Sequence, residues 1–197
     1  MADAPSEEAS LLSLHRDSHL SGSDAEAALT DFEFALHHVA ESFRRWVSEL
    51  NAYISGEELT WSDISVLQVV RFRDMPKSVS QIAKFLHRED QANVQYGLRK
   101  LERAGLVRKV PGVAQRQTAY EVTERGRDAT DHYAQLRREV LVDLLDGLGG
   151  PEAVLGDTMS RLMVMTGLYD QGARRIALNR SHVASVDLVG RAQKKAG

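Results

Sequence analysis

The 197-residue chain is 43% hydrophobic, 27% charged and formally −3 at neutral pH, a balance that suits one principal core with appended helices and excludes fibrous and low-complexity classes. With no cysteine, disulfides, thiolate metal sites and thiol-based redox switching are excluded. No apolar run is long enough to cross a bilayer, and the start MADAPSEEAS has neither the basic end nor the apolar centre of a signal peptide, so a cytoplasmic protein with no membrane partner is expected.

The charge is unevenly placed. Residues 1–63 hold thirteen Asp and Glu against Arg16, Arg44 and Arg45, which leaves +7 for the other 134 residues. Residues 99–127 carry Arg99, Lys100, Arg103, Arg108, Lys109, Arg116, Arg125 and Arg127 against Glu102, Glu121 and Glu124. An excess of five positive charges over one supersecondary unit is a footprint for a polyanion, although solvated faces of ordinary proteins show such runs too.

In chain order, residues 1–25 are rich in Ser, Ala and acid, with one apolar cluster at Leu11, Leu12 and Leu14, and read as a flexible acidic tail. Leu29, Phe32, Leu36, Val39, Phe43, Trp46, Val47, Leu50 and Ile54 then recur at intervals of three and four, predicting one long helix over 26–56 that Gly56 ends. Thr60-Trp61-Ser62-Asp63 has capping-box spacing and opens a second helix with Trp61, Ile64, Leu67 and Val70 inward. Met75-Pro76 breaks it. A short helix from Ser78 or Ser80 buries Val79, Ile82, Ala83 and Leu86, and after His87-Arg88 another begins at Glu89 or Asp90 with Val94, Leu98 and Leu101 inward. Gly105 stops it, and the pair reads as a helix-turn-helix.

Leu106–Val110 and Thr118–Thr123, joined through Pro111-Gly112, read as two short strands. Helix-turn-helix followed by hairpin is a winged helix. Thr123-Glu124-Arg125-Gly126 starts a further helix with Ala129, His132 or Tyr133, Leu136, Val140, Leu144 and Leu145 inside. Residues 147–151 break it, and Val154, Leu155, Met159, Leu162, Met163, Thr166 and Tyr169 line one more amphipathic helix, followed by a basic extension at 173–197. The fold class is therefore mainly α with a small β-hairpin wing. Its parts are a 26–172 domain, with the winged helix over 57–123 and long helices over 26–56 and 124–172 at its sides.

Leu101-Glu102-Arg103-Ala104-Gly105-Leu106-Val107-Arg108 is similar to the "LE-x-x-GLV-x-R" junction of the MarR-type winged-helix transcriptional regulators, and Tyr120-Glu121-Val122-Thr123-Glu124-Arg125-Gly126 to that family's "V-x-L-T-x-x-G". Together, at this separation and within this order of helices, they make the chain resemble that family over roughly residues 30–170. The resemblance implies a homodimer whose first and last helices interlock, binding double-stranded DNA at pseudo-palindromic promoter sites. It also implies a small-molecule effector pocket between the first, second and fifth helices, with Phe43, Trp46, Trp61 and Tyr133 as candidate lining, although aromatics at helical spacing are also ordinary core. Where the family's wing carries Asp-x-Arg, this chain reads Ala114-Gln115-Arg116.

The major groove of B-DNA admits one α-helix, whose first turns approach the base edges. With Val94, Leu98 and Leu101 inward, Gln91, Asn93 and Gln95 face outward as candidate base readers, with Tyr96 and Arg99 on the backbone. Exposed amides are also plain solvated surface on many helices. Arg116 is placed to enter the minor groove from the wing, with Lys109 or Gln117 on phosphate. Asp90 reads as a cap. Gly97 costs about 1 kcal/mol relative to Ala in a helix and points to close packing. Adjacent His37 and His38 diverge on a helix, so with His132 they do not make a metal site. No cofactor is expected, and the chain has no glycine-rich phosphate loop, no evident nucleophile–base pair and no room for a catalytic domain, so it does not read as an enzyme. The competing reading is a winged helix used for protein contact without DNA.

Overall fold

The computed structural model describes residues 18–55, 58–111 and 118–195, with 55, 179 and 181–195 as backbone alone. They fall into two compact units divided between Leu136 and Arg137.

Helix α1 (Asp24–Ser55) starts where Ser23 Oγ accepts the Glu26 N–H at 3.3 Å; Asp24 and Glu26 suit the positive end of its dipole. Its 32 residues make a rod of about 48 Å, three times as long as the helix it meets. Val47, Leu50 and Asn51 near its C-terminus and Thr30 near its start are buried, and Leu29, Leu36, Val39 and Phe43 of the same stripe stay exposed.

Helix α2 (Trp61–Arg71) begins with the expected box. Thr60 Oγ1 accepts the Asp63 N–H at 3.3 Å and Asp63 Oδ2 accepts the Thr60 N–H at 2.9 Å. Val66 and Val69 are buried beside Ile64, Leu67 and Val70, a wider apolar face than the sequence stripe, because α2 is met by α1 and by three further elements. These are helix α3 (Val79–Phe85), helix α4 (Gln91–Arg103) and strand β2 (Thr118–Val122).

After α2, Arg73 and Asp74 take positive φ in a 3-10 turn. The Lys77 ammonium closes this turn by donating to Val70 O at 3.2 Å, to Met75 O at 2.8 Å and to Phe72 O, which satisfies carbonyls that a helix end leaves open. Ser78, rather than Ser80, caps α3, and Gln81 completes a second capping box.

Asp90 caps α4. Gly105 ends it with φ +69, a left-handed turn without steric cost for glycine. Strand β1 (Val107–Pro111) pairs antiparallel with β2, Val107 opposite Val122; the wing tip between them lies outside the described residues. Lys77 adds a bridge through paired backbone bonds to Tyr120 of 3.0 and 2.9 Å. Ile82, Val94, Leu98, Leu101, Leu106 and Val107 form the centre of the core.

The two sequence motifs are joined in space. Thr123 Oγ1 donates to Gly105 O at 2.6 Å and accepts the Gly126 N–H at 3.1 Å, and the Arg125 guanidinium donates to Ala104 O. Gly126, in helix α5 (Glu124–Arg137), sits so close that a Cβ there would lie 2.0 Å from Leu106 O.

In the second unit, a π-helical turn (Arg138–Val142) and helix α6 (Asp143–Gly147) precede the glycine break. Pro151 opens helix α7 (Pro151–Leu155), and helix α8 runs Thr158–Lys195. The sequence stripe from Val154 to Tyr169 is thus interrupted at Gly156, whose φ −19, ψ −98 is not helical. Val140, Leu144, Met159, Leu162 and Met163 are exposed. Among the described residues, no helix is long and apolar enough to cross a membrane.

Candidate nucleic-acid interface

Helix α4 has two distinct sides. Val94, Leu98 and Leu101 are fully buried, and their spacing of three and four fixes the opposite face outward. Gln91, Asn93, Gln95, Tyr96 and Arg99 all lie on that exposed face. The Arg99 guanidinium stands 5.8 Å from the centre of the Tyr96 ring, so the cation and the ring occupy one patch.

The start of the helix is tied internally. Asp90 Oδ1 accepts the Ala92 N–H at 2.8 Å, and Asp90 Oδ2 accepts from Asn93 Nδ2 at 2.7 Å. The spacing of three residues along a helix start is the signal that makes such a pair legible in a sequence.

Behind the face, Gly97 lets α4 approach α2: a Cβ there would lie 3.1 Å from Asp63 Oδ1. One residue turn further, Lys100 Nζ donates to Asp63 Oδ2 at 2.7 Å. Burial works to raise the Asp63 carboxyl, but the bonds from Lys100 and Thr60 and the Lys100 charge outweigh it and hold the group below its ordinary value.

Four of the eight bases of residues 99–127 are ion-paired within the protein. Lys100 pairs with Asp63, Arg108 with Glu121 at 2.6 Å, Lys109 with Glu102 at 2.9 Å and Arg127 with Asp74. The Glu102 bond also raises the Lys109 ammonium above its ordinary value. Glu102 and Glu121 are already subtracted in the excess of five, so it is the pairs of Lys100 with Asp63 and Arg127 with Asp74, acids outside the run, that lower the charge free to meet a polyanion. Lys109 remains exposed on β1, whereas Arg116 and Gln117 lie outside the described residues.

The four aromatics expected at an effector pocket do not converge. Tyr133 borders a cavity of about 20 Å³ with Asn51, Ile54, Leu67 and Ala129, space for about one water. Trp61 borders a separate groove of about 430 Å³ with Arg88, Asn93, Tyr96 and Lys100. Arg44 and Arg88 stand 5.3 and 5.9 Å from the Trp61 ring centre. Phe43, 51% exposed, and Trp46 border neither. His132 lies edge-on to Tyr53, with ring centres 6.0 Å apart.

Residues 59–126 match the family model of a winged helix DNA-binding domain. Among solved structures, the chain is similar to a MarR/EmrR family transcriptional regulator from Acinetobacter sp. ADP1, at 19% identity over 71% of this chain and 94% of that one, TM-score 0.58. It is similar to M. tuberculosis transcriptional regulator MOSR in complex with DNA, at 21% identity over 72% and 96%, TM-score 0.52. Streptococcus pneumoniae FabT in complex with DNA gives 18% identity over 69% and 97%, TM-score 0.54. No curated protein matches the chain. Residues 59–126 form a winged helix domain. Over about 70% of the chain, the fold is similar to that of these solved MarR-family structures.

Proposed function

We propose that the protein is a sequence-specific DNA-binding transcriptional regulator. The observation that carries this reading is α4 itself: a helix anchored by three fully buried apolar residues, its amide-rich first turns exposed within a winged helix domain. Gln91, Asn93 and Gln95 read base edges, and Tyr96 and Arg99 hold the backbone. From the wing, Arg116 enters the minor groove and Lys109 or Gln117 meets phosphate. Two of the similar structures, MOSR and FabT, are DNA complexes. Such a regulator acts in the cytoplasm.

Action as a homodimer on pseudo-palindromic promoter sites is the second part of the proposal. Support comes from apolar side chains that the single chain leaves uncovered, Leu36, Val39 and Phe43 on α1 and Met159, Leu162 and Met163 on α8, since monomers rarely expose long apolar faces. A small-molecule response is the third part. Its site is the α1–α2–α5 cavity beside Tyr133, which must open to admit more than a water.

The internal pairing of Lys100, Arg108, Lys109 and Arg127 favours a second reading, a winged helix that contacts protein only. Gel-shift titration of a promoter fragment at two salt concentrations separates the two: DNA binding that falls steeply with salt is expected, and no shift at either concentration leaves protein contact as the function.

A further inference from the structure

We propose that Asp90 is a specificity-positioning residue: by holding the amide of Asn93 in one orientation, it makes Asn93 a reader of adenine. The inference rests on the DNA-binding reading above. A carboxylate can only accept hydrogen bonds, so the 2.7 Å contact from Asn93 to Asp90 Oδ2 must be made by the amide nitrogen. The amide therefore cannot flip without losing the bond and setting its own oxygen against a carboxylate oxygen. Oδ1 of Asp90 is meanwhile held by the Ala92 N–H at 2.8 Å, so the carboxylate is fixed at both ends, one on the helix backbone and one on the reader.

With one amide hydrogen taken, Asn93 offers one carbonyl acceptor and one N–H donor. Adenine is the base whose major-groove edge shows an acceptor beside a donor, whereas guanine shows two acceptors, cytosine a donor, and thymine an acceptor and a methyl. An asparagine free to flip loses much of this discrimination, because it can turn its nitrogen toward guanine or thymine acceptors. Asp90 thus does two tasks that can be parted: capping, which serine performs as well, and orientation, which needs its second oxygen.

The test is selection of bound sites from randomised duplex DNA with the full-length protein, its Asp90→Ser variant, Asn93→Ala and the double variant, with thermal unfolding measured alongside. Wild type is expected to prefer adenine at one position of each half-site by roughly tenfold or more. Asp90→Ser is expected to unfold at the wild-type temperature, still bind DNA, and show less than about threefold preference at that same position. Asn93→Ala should lose preference there too, and the double variant should lose no more than either single one. Asp90→Ser protein that binds DNA with the wild-type preference overturns the proposal, as does a loss at a position that Asn93→Ala leaves intact. A wild-type protein that selects no DNA overturns the regulator reading and this inference with it.

Discussion

Asp63 Oδ2 and Lys100 Nζ lie 2.7 Å apart, and the same oxygen accepts the Thr60 N–H and hydroxyl at 2.9 and 2.8 Å. One carboxylate thereby caps α2 and anchors the helix proposed to enter DNA. Asp63→Asn can preserve the cap but leaves the Lys100 ammonium half-buried without its counter-charge. A cost of about 2 kcal/mol is expected in denaturant unfolding at neutral pH, below the range for fully buried pairs because Lys100 retains some solvent. The folded carboxyl titrates below its ordinary value of 3.8. The contribution is therefore complete above that value and is lost as pH falls through the lower, folded one. The gap between wild type and variant should close under acid.

Gly97 tests how firmly this anchor is held. In an exposed helix Gly→Ala gains about 1 kcal/mol, but a Cβ at Gly97 meets Asp63 Oδ1 at 3.1 Å, and Asp63 is fixed by its bonds to Thr60 and Lys100. Gly97→Ala should therefore leave thermal stability unchanged or lower it. In an Asp63→Ala background the same change should stabilise, a coupling that a double-mutant cycle reads directly.

Gly126 has less room still. Its missing Cβ would stand 2.0 Å from Leu106 O, just before β1, and 3.3 Å from Val122 Cβ at the end of β2. Gly126→Ala must shift backbone and is expected to cost about 3 kcal/mol or more, measured by thermal or denaturant unfolding.

Freeing a paired base should strengthen DNA binding. Lys109 is tied to Glu102 at 2.9 Å on an exposed surface, where a phosphate can compete for it. Glu102→Gln is expected to raise DNA affinity and to steepen the dependence of log K on log salt by about 1 per contacting Lys109. An unchanged slope would mean that Lys109 meets no phosphate.

Much of this architecture is legible in the sequence because it is local. Caps at Thr60 and Asp90, the stop at Gly105 and the inward spacing of Val94, Leu98 and Leu101 all depend on residues within a turn or two of each other. What escapes is pairing across distance. Lys100 and Asp63 are 37 residues apart and Arg127 and Asp74 are 53 apart; nothing in their neighbours announces that these charges cancel. The long stripe of α1 illustrates a different limit, since periodicity marks Leu36, Val39 and Phe43 as an apolar face without saying that their own unit leaves them exposed. Likewise Phe43, Trp46, Trp61 and Tyr133 share an aromatic character, but the turns between their helices send Trp61 and Tyr133 to different cavities.

In the function proposed for this protein, the exposed amides of α4 read DNA sequence. Selection from randomised duplex DNA by a Gln91→Ala, Asn93→Ala, Gln95→Ala triple variant tests it most directly, because all three side chains are exposed and their loss leaves the core intact. The variant is expected to remain folded and to bind DNA weakly with no common site, while wild type enriches one. A triple variant that enriches the same site as wild type would contradict the assignment.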